Sequence, residues 1–318
     1  MKKYLKSLLV VALVVPCLIV MTACFGSENI GKEMTVSQWS EAQTKIEAGL
    51  GALETEMAGW SGIAITGKGS STSTVTKTSD TIKESDSANI DVKVKRATDT
   101  TQAVASINVN TKTSSSSKTG SMSLEGKSNV YFAGGVAYDN ILKTKETGMS
   151  ASTINAIVSE GMNESGIDVD DFKDALKHFQ NAHSKTLSDG STQITVTLDL
   201  TKKYTAEVTG YNEHSMNVFL GRKQELVSVT GKATITVVLG AENKIIELKR
   251  SDDYTVTIKT TVTKSDEVVE EWTKKDTYKS SVAVTKFIGD ITAPSGHEDY
   301  KEAGSVDLFP GFGSIFGF

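Results

Sequence analysis

The stretch Ala-Thr-Ile-Thr-Val-Val-Leu, residues 233–239, decides the fold because apolar and polar residues alternate along most of it. Successive side chains of a β-strand point to opposite faces of the sheet, so this alternation predicts a strand with one buried and one wet face. The same period of two recurs in segments that begin at Ile63, Ile90, Ala103, Met122, Val130, Ile194, Met216, Ile246, Tyr254 and Val282. The chain is therefore predicted to form a mostly antiparallel sheet of about eleven strands.

Two segments have helical spacing instead. Apolar residues recur at intervals of three, four and seven from Val36 to Met57, with Thr35 as the predicted N-cap and Gly59 as the predicted stop. A second helical pattern lies between Ser150 and Ala182. The expected fold class is α+β, mostly antiparallel β, with an N-terminal helix near 36–58 and a central helical insertion near 150–183.

Turns and polar connections separate these elements. Asp189-Gly190 and residues 240–243 carry turn signals. The Ser- and Thr-rich segments 70–78 and 111–119 are interpreted as connections between strands. Four parts are predicted: a removed segment 1–23, a tether 24–34, a single β-rich domain 35–293, and a Gly- and Phe-rich tail 294–318.

The N-terminal segment is typical of an export signal. Lys2, Lys3 and Lys6 precede an apolar run from Leu8 to Met21, which is short for a membrane-spanning helix. We therefore expect export followed by cleavage, and a location outside the cytoplasm.

Met21-Thr22-Ala23-Cys24 resembles the bacterial lipobox, although Met21 replaces the more usual Leu. The resemblance implies cleavage between Ala23 and Cys24, S-diacylglycerol and an N-acyl group such as palmitate on Cys24, and attachment to the cell membrane. Two acyl chains bind a bilayer nearly irreversibly, because each buried methylene contributes about 0.8 kcal/mol. An ordinary signal peptide followed by a chance cysteine is the alternative.

Cysteine usage and charge exclude several classes of function. The other cysteine, Cys17, lies in the segment predicted to be removed, so no disulfide within the mature chain and no thiolate metal site is expected. The net charge of −5 and the three scattered arginines give no basic surface for nucleic acid. We expect no cofactor, and the sequence identifies no protein partner.

No motif in the sequence predicts catalysis or metal binding. Residues 62–68 match the start of a phosphate-binding loop, but Gly69 replaces the required Ser or Thr, which favours a strand. The remaining candidates are better explained by structural roles. Asp168, Asp170 and Asp171 are predicted to cap a helix, and Glu267, Glu270 and Glu271 to lie on a solvated face. His178 and His183 are predicted at the surface of a helix, and His214 and His297 have no recognisable set of metal ligands near them in the sequence. The protein is therefore not expected to be an enzyme.

The order of one helix, about six strands, two helical segments and about five further strands resembles that of LolA-like lipoprotein carriers and of the LppX and LprG type of lipid-transport lipoproteins. The resemblance covers residues 35–290, and the segment 128–138 is similar to strands of that group that present tyrosine near the hollow. It implies a curved sheet or half-barrel with helices over its concave side. It assigns no individual residue to ligand binding.

Two functions remain open. The resemblance implies a carrier that holds a lipid, an acyl chain or another hydrophobic small molecule in an apolar hollow. A filled core would bury the same apolar faces, and the chain would then be a structural or surface-interaction lipoprotein without a ligand. The tail, with Phe309, Phe312, Phe316 and Phe318 among glycines, is a candidate plug for the hollow, a partner-binding segment or a flexible end.

Overall fold

A computed structural model describes residues 30–58, 60–95, 103–148, 176–265 and 267–303. They form one open, curved sheet of thirteen strands, in which every neighbouring pair is antiparallel except the last. The strands are β1 (Lys32–Glu33), β2 (Gly62–Lys77), β3 (Thr81–Lys95), β4 (Val104–Ser117), β5 (Gly120–Ala133), β6 (Val136–Asp139), β7 (Thr144–Thr147), β8 (Phe179–Thr186), β9 (Thr192–Leu198), β10 (Arg222–Leu239), β11 (Ile245–Lys264), β12 (Glu267–Lys286) and β13 (Lys301–Glu302).

Their spatial order is β1-β8-β9-β10-β11-β12-β2-β3-β4-β5-β6-β7-β13. Antiparallel pairing of β12 with β2 joins the two halves of the chain in the middle of the sheet, so the described strands belong to one continuous sheet. The expected fold class is confirmed.

The strands are longer than the apolar pattern predicts. Residues 70–77 and 111–117 were expected to be connections, but they continue β2 and β4. The side chains there are mostly polar and at least partly exposed on both faces, so no apolar alternation marks the strand. Hydroxyl side chains bridge neighbouring strands instead, as between Ser85 and Ser114 at 2.9 Å, and such cross-strand pairs stabilise a sheet. Two pairs of predicted strands also merge, one pair into β5 and the other into β11, because polar residues interrupt the apolar alternation between them.

Helix α1 (Val36–Ala58) is the predicted N-terminal helix and covers the apolar end of the sheet. Thr35 caps it as predicted, because the Gln38 N–H donates to Thr35 Oγ1 and the Thr35 N–H donates to Gln38 Oε1. Its apolar stripe includes Trp39, Ile46, Leu50 and Leu53, all at most 4% exposed, and forms one core cluster with apolar residues of the sheet. Val36 was assigned to this stripe, but it is 87% exposed because it lies at the first helical position, beyond the edge of the sheet.

Helix α2 (Leu200–Glu213) and the short helix α3 (Ser215–Phe219) lie between β9 and β10. The strand predicted from Met216, Val218 and Leu220 is wrong. All three side chains are exposed, so their alternation has no face to bury, and the backbone turns helically before Gly221 enters β10 with a positive φ. Leu200, predicted to end a strand, begins α2.

Most of the predicted central helical insertion, residues 149–175, lies outside the described residues, as do Cys24, the export segment, Gly59, Asp168 to Asp171 and the phenylalanines of the tail. The part that is described corrects the prediction. Residues 179–186 form β8, because their backbone pairs with β9, for example Ala182 with Val196. This ladder overrides the helical spacing of Leu176 and Phe179. At the other end of the chain, β13 pairs with β7, so residues 301–302 add to the edge of the sheet.

Candidate functional site

A cavity of about 490 Å³ lies between α2 and the sheet. We call the face of the sheet covered by α1 and α2 its inner face. The cavity adjoins the inner face of β10, β11 and β12, beyond the region that α1 fills. Its walls are four aromatic rings, four charged side chains and a few neutral ones, namely Lys203, Tyr204, Glu207, Gln224, Tyr254, Ile258, Thr260, Trp272, Lys274, Asp276 and Tyr278.

The period of two in β12 places the cavity residues on the inner face. Val284 and Val282 belong to the core under α1. Alternate residues from there toward the start of β12 share that face, so Ser280, Tyr278, Asp276, Lys274 and Trp272 follow in order. In β11 the same rule places Asp252, Tyr254, Val256, Ile258 and Thr260 opposite them, with Tyr254 paired to Tyr278 and Val256 to Asp276.

Helix α2 is held over this face at both ends. The side chain of Asp199 caps its first turn by accepting from the Lys202 N–H at 2.9 Å. Near its other end, Asn212 Nδ2 donates to the Gln224 carbonyl at 2.9 Å and the Gln224 N–H donates to Asn212 Oδ1 at 2.6 Å. The buried residues of α2 are Leu200, Tyr204 and Val208, and they face the sheet.

Three tyrosines in the wall of the cavity contact one another in a row. The ring centroids of Tyr204 and Tyr254 are 6.0 Å apart, those of Tyr254 and Tyr278 are 4.9 Å apart, and the hydroxyls of Tyr204 and Tyr254 share a hydrogen bond of 3.1 Å. Burial raises the pKa of all three phenols well above its usual range. They therefore stay neutral and present aromatic surface to the cavity.

Two buried aspartates on the inner face differ in their partners. Asp252 accepts from Arg250 Nε at 3.2 and 3.1 Å and from Ser280 Oγ at 2.5 Å, so both of its oxygens are satisfied. Asp276 is 7% exposed and lines the cavity. Its Oδ2 lies 2.8 Å from the Lys274 ammonium, while its Oδ1 is buried and has no hydrogen-bond partner among the described residues. Such an atom costs free energy, which makes Asp276 the unusual residue of the site.

Other charged groups lie in the wall of the cavity or next to it. Lys203 Nζ is 3.7 Å from Glu207 and 5.4 Å from the ring centroid of Tyr204. Lys77 Nζ lies 4.9 Å from the Trp272 ring centroid and pairs with Glu270 at 2.7 Å. The aromatic walls thus already attract ammonium groups of the protein itself.

A second, smaller cavity of about 230 Å³ lies beside the first half of α1. It is lined by Met34, Gln38, Glu41, Lys45 and residues of the β8–β9 and β10–β11 turns. Its size is below that of typical ligand pockets, and the described residues that line it include no aromatic ring and no unpartnered acid.

The structure does not bring the histidines considered in the sequence together. His178 lies in a turn and His183 in β8, so neither is on the predicted helix. His214 joins α2 to α3. His297 lies in a short 3-10 turn on the outer face, where its ring contacts Tyr131 and Tyr138 at 5.6 and 4.9 Å between centroids.

The remaining predicted positions are also placed. Glu267, Glu270 and Glu271 are exposed at the start of β12, as expected of a solvated face. Residues 62–68 belong to β2, as expected. Tyr131 and Tyr138 were compared with tyrosines that line a hollow, but they alternate with Phe132 and Ala137 of the core and so face outward.

Across the described ranges, no group of three or more His, Cys, Asp or Glu side chains is arranged to hold a metal ion. Within the same ranges, no helix combines the length and apolarity needed to cross a membrane.

Sequence reasoning missed every residue of the cavity as a site, and two signals could have found them. Leu200, Tyr204, Val208 and Tyr211 recur at helical intervals after Asp199, a good N-cap. In β12, Asp276 and Tyr278 have the same parity as Val282 and Val284, so a strand that continues through the lysines places them on the buried face.

Comparisons with known proteins leave the chain without a family. No protein-family model and no curated protein matches it. Among solved structures, the crystal structure of LprF from Mycobacterium bovis is similar to 79% of this chain and 97% of that chain, at 10% sequence identity and a TM-score of 0.28. A score this low carries no argument, so the function is argued from the geometry of this chain.

Proposed function

We propose that this chain is a lipoprotein anchored to the cell membrane, that it faces outside the cytoplasm, and that it binds a hydrophobic small molecule or lipid in the cavity between α2 and the sheet. The cavity itself is the observation that supports binding. Its volume of about 490 Å³ lies within the range of about 300–1,000 Å³ that small-molecule sites occupy.

The walls of the cavity favour a ligand with an apolar body and one polar end. Tyr204, Tyr254, Tyr278 and Ile258 offer apolar surface on the sheet and on α2. The charged groups provide electrostatic contacts and hydrogen bonds for a head group. A pure hydrocarbon would leave these groups without new partners, whereas an amphipathic molecule satisfies both parts of the wall.

The anchor is supported by the sequence upstream of the sheet. Cleavage after Ala23 and acylation of Cys24 would leave the first described residue, Ile30, six positions beyond the lipid. At about 3.4 Å per extended residue, the body then stays within about 20 Å of the membrane. The body would then remain beside the membrane whose lipids are candidate ligands.

The second candidate is a structural or surface-interaction lipoprotein without a ligand. The packing under α1 favours it, because Ile46, Val196, Val237 and Ile245 are fully buried and that half of the inner face is filled. The two candidates therefore make different predictions for one region alone, the cavity under α2.

Ligand binding can be tested on residues 25–318. Every described element lies within 30–303, so this soluble body keeps the whole described sheet and its core. We expect native mass spectrometry to detect a copurified small molecule or lipid, and decanol to change the tryptophan fluorescence in a saturable manner. Trp272 lines the cavity, whereas Trp39 and Trp60 are buried in the core.

The tryptophans provide the matched controls. The Trp272→Phe variant should lose the decanol signal, and the Trp60→Phe variant should keep it. Absence of both a copurified molecule and a saturable response would contradict ligand binding and favour the structural lipoprotein.

A further inference from the structure

We infer that the ligand of this cavity carries an organic cation, an ammonium or quaternary ammonium group held between the tyrosine rings and the Asp276 carboxylate. This inference rests on the proposed function and names the chemistry of the ligand's polar end.

The under-compensated carboxylate is the first observation. Asp276 is 7% exposed, and within the part of the chain that the structure describes its Oδ1 has no hydrogen-bond partner and its Oδ2 contacts the ammonium of Lys274. The neighbouring Asp252, equally buried at 7%, accepts hydrogen bonds at both oxygens from the protein. Since both acids lie on the same face, burial alone does not explain the difference. The acid that lacks compensation is the one that lines the cavity.

The aromatic walls are the second observation. The ring centroid of Tyr254 lies 6.0 Å from that of Tyr204 and 4.9 Å from that of Tyr278, and Trp272 lines the same cavity. The face of an aromatic ring attracts a cation, more strongly where water is excluded, and a cage of such rings is a known way to bind quaternary ammonium groups. Burial raises the pKa of the three phenols, so no phenolate alters this surface near neutral pH.

The partner of Asp276 is the third observation, because Lys274 is easily displaced. Its side chain is 47% exposed, whereas that of Asp276 is 11% exposed. A long, exposed lysine can turn into water at little cost. A ligand cation can then take its place against the carboxylate while the ligand's apolar body covers the rings. The lysine acts as a competitor that keeps the acid paired when the cavity is empty.

The test compares three ligands with the same ten-carbon chain on residues 25–318, all below their micelle concentrations: decyltrimethylammonium, decanol and decyl sulfate. Dissociation constants are measured by calorimetry and by the Trp272 fluorescence. We expect the cation to bind at least tenfold more tightly than decanol, and decyl sulfate to bind more weakly than either.

Four variants distinguish the effect of the cavity residues on binding from the effect of the protein's net charge. Asp276→Asn should remove the preference for the cation, and Lys274→Gln should strengthen cation binding at least threefold by removing its competitor. Asp253→Asn and Lys275→Gln make the same charge changes on the outer face and should leave all three affinities unchanged. Asp276→Asn removes a buried charge, whereas Lys274→Gln leaves the Asp276 carboxylate without its ion-pair partner and should lower the unfolding temperature of the empty protein. Thermal unfolding should show that both variants are folded at the temperature of the binding measurements.

The outcomes distinguish the two proposals. Equal binding of the three ligands, or binding of the cation that Asp276→Asn leaves unchanged, would overturn the inference about the cation and leave ligand binding in place. A preference for decyl sulfate would overturn it as well. If none of the three ligands binds, the proposed ligand function itself is wrong.

Discussion

At the scale of single residues, Asp252 and Asp276 show that the sheet treats the same side chain in two ways. One is enclosed by an arginine and a serine, and the other keeps an oxygen without a partner beside a cavity. A buried acid of the first kind helps to specify the packing of the strands around it. An acid of the second kind destabilises the fold, and such sites are commonly retained for function.

The three buried tyrosines make the stability of the protein sensitive to alkaline pH. In the folded chain burial raises their pKa, whereas in the unfolded chain they ionise near their ordinary pKa of about 10. Above that pH the unfolded chain has fewer bound protons than the folded chain. Their contribution is therefore complete below about pH 10 and is lost as the pH rises further.

We expect the urea concentration at the unfolding midpoint to fall between pH 9 and pH 11, and to fall less steeply in the Tyr278→Phe variant. The phenolate absorbance of the folded chain should lag behind that of the urea-unfolded chain over the same range. Coincident absorbance curves for the folded and unfolded chains would contradict the prediction.

At the scale of elements, the sequence predicts the strands and helices that bury apolar surface and misses the parts of strands that do not. The apolar cores of β2, β3, β4, β9 and β10 and the helix α1 follow from periodicity, because each has one face in the core. The outer halves of β2 to β5 carry mostly polar residues, so their backbone pairing has little counterpart in hydropathy. Hydrogen bonding between strands determines where those strands end, and a local sequence pattern does not show that pairing.

Helix α2 was missed for a different reason. Its buried positions, Leu200, Tyr204 and Val208, follow directly on the alternating strand β9, and the shared residue Leu200 fits both periods. The N-cap Asp199 marks the change from one period to the other. The candidate site depends on this helix, so the error in one element concealed the whole cavity.

Removing the N-cap of α2 should weaken ligand binding in the cavity while lowering the stability of the whole fold only slightly. The Asp199→Ala variant loses the hydrogen bond from the Lys202 N–H, which typically costs about 1 kcal/mol. We expect that fall in the free energy of unfolding, together with faster amide hydrogen exchange in the first turn of α2 and weaker binding of decanol. As a control, Thr35→Ala removes the cap of α1, and it should lower stability to a similar extent while leaving decanol binding unchanged.

At the scale of the whole molecule, the inner face of the sheet changes from apolar at one end of the strands to polar at the other. Its strands run from an apolar end that α1 closes, at Val282 and Val284, to a polar end beyond the cavity, at Glu270 and Glu271. The cavity lies between the apolar and the polar end of these strands, which is why its walls combine tyrosines with ion pairs. An amphipathic ligand matches that boundary better than it matches either end.

The anchor belongs to this scale because it places the whole sheet relative to a membrane. If Cys24 carries S-diacylglycerol, its acyl chains hold the protein in the bilayer, since a single chain binds marginally and two bind firmly. We expect the Cys24→Ala variant to leave the membrane pellet for the soluble or secreted fraction, and to lose labelling by a palmitate analogue. Cys17→Ala is the matched control, because Cys17 lies within the segment predicted to be removed, and its labelling should match that of the unaltered chain. If the Cys24→Ala variant were still labelled, the lipid would be attached elsewhere, and the distance of about 20 Å between the membrane and the sheet would no longer hold.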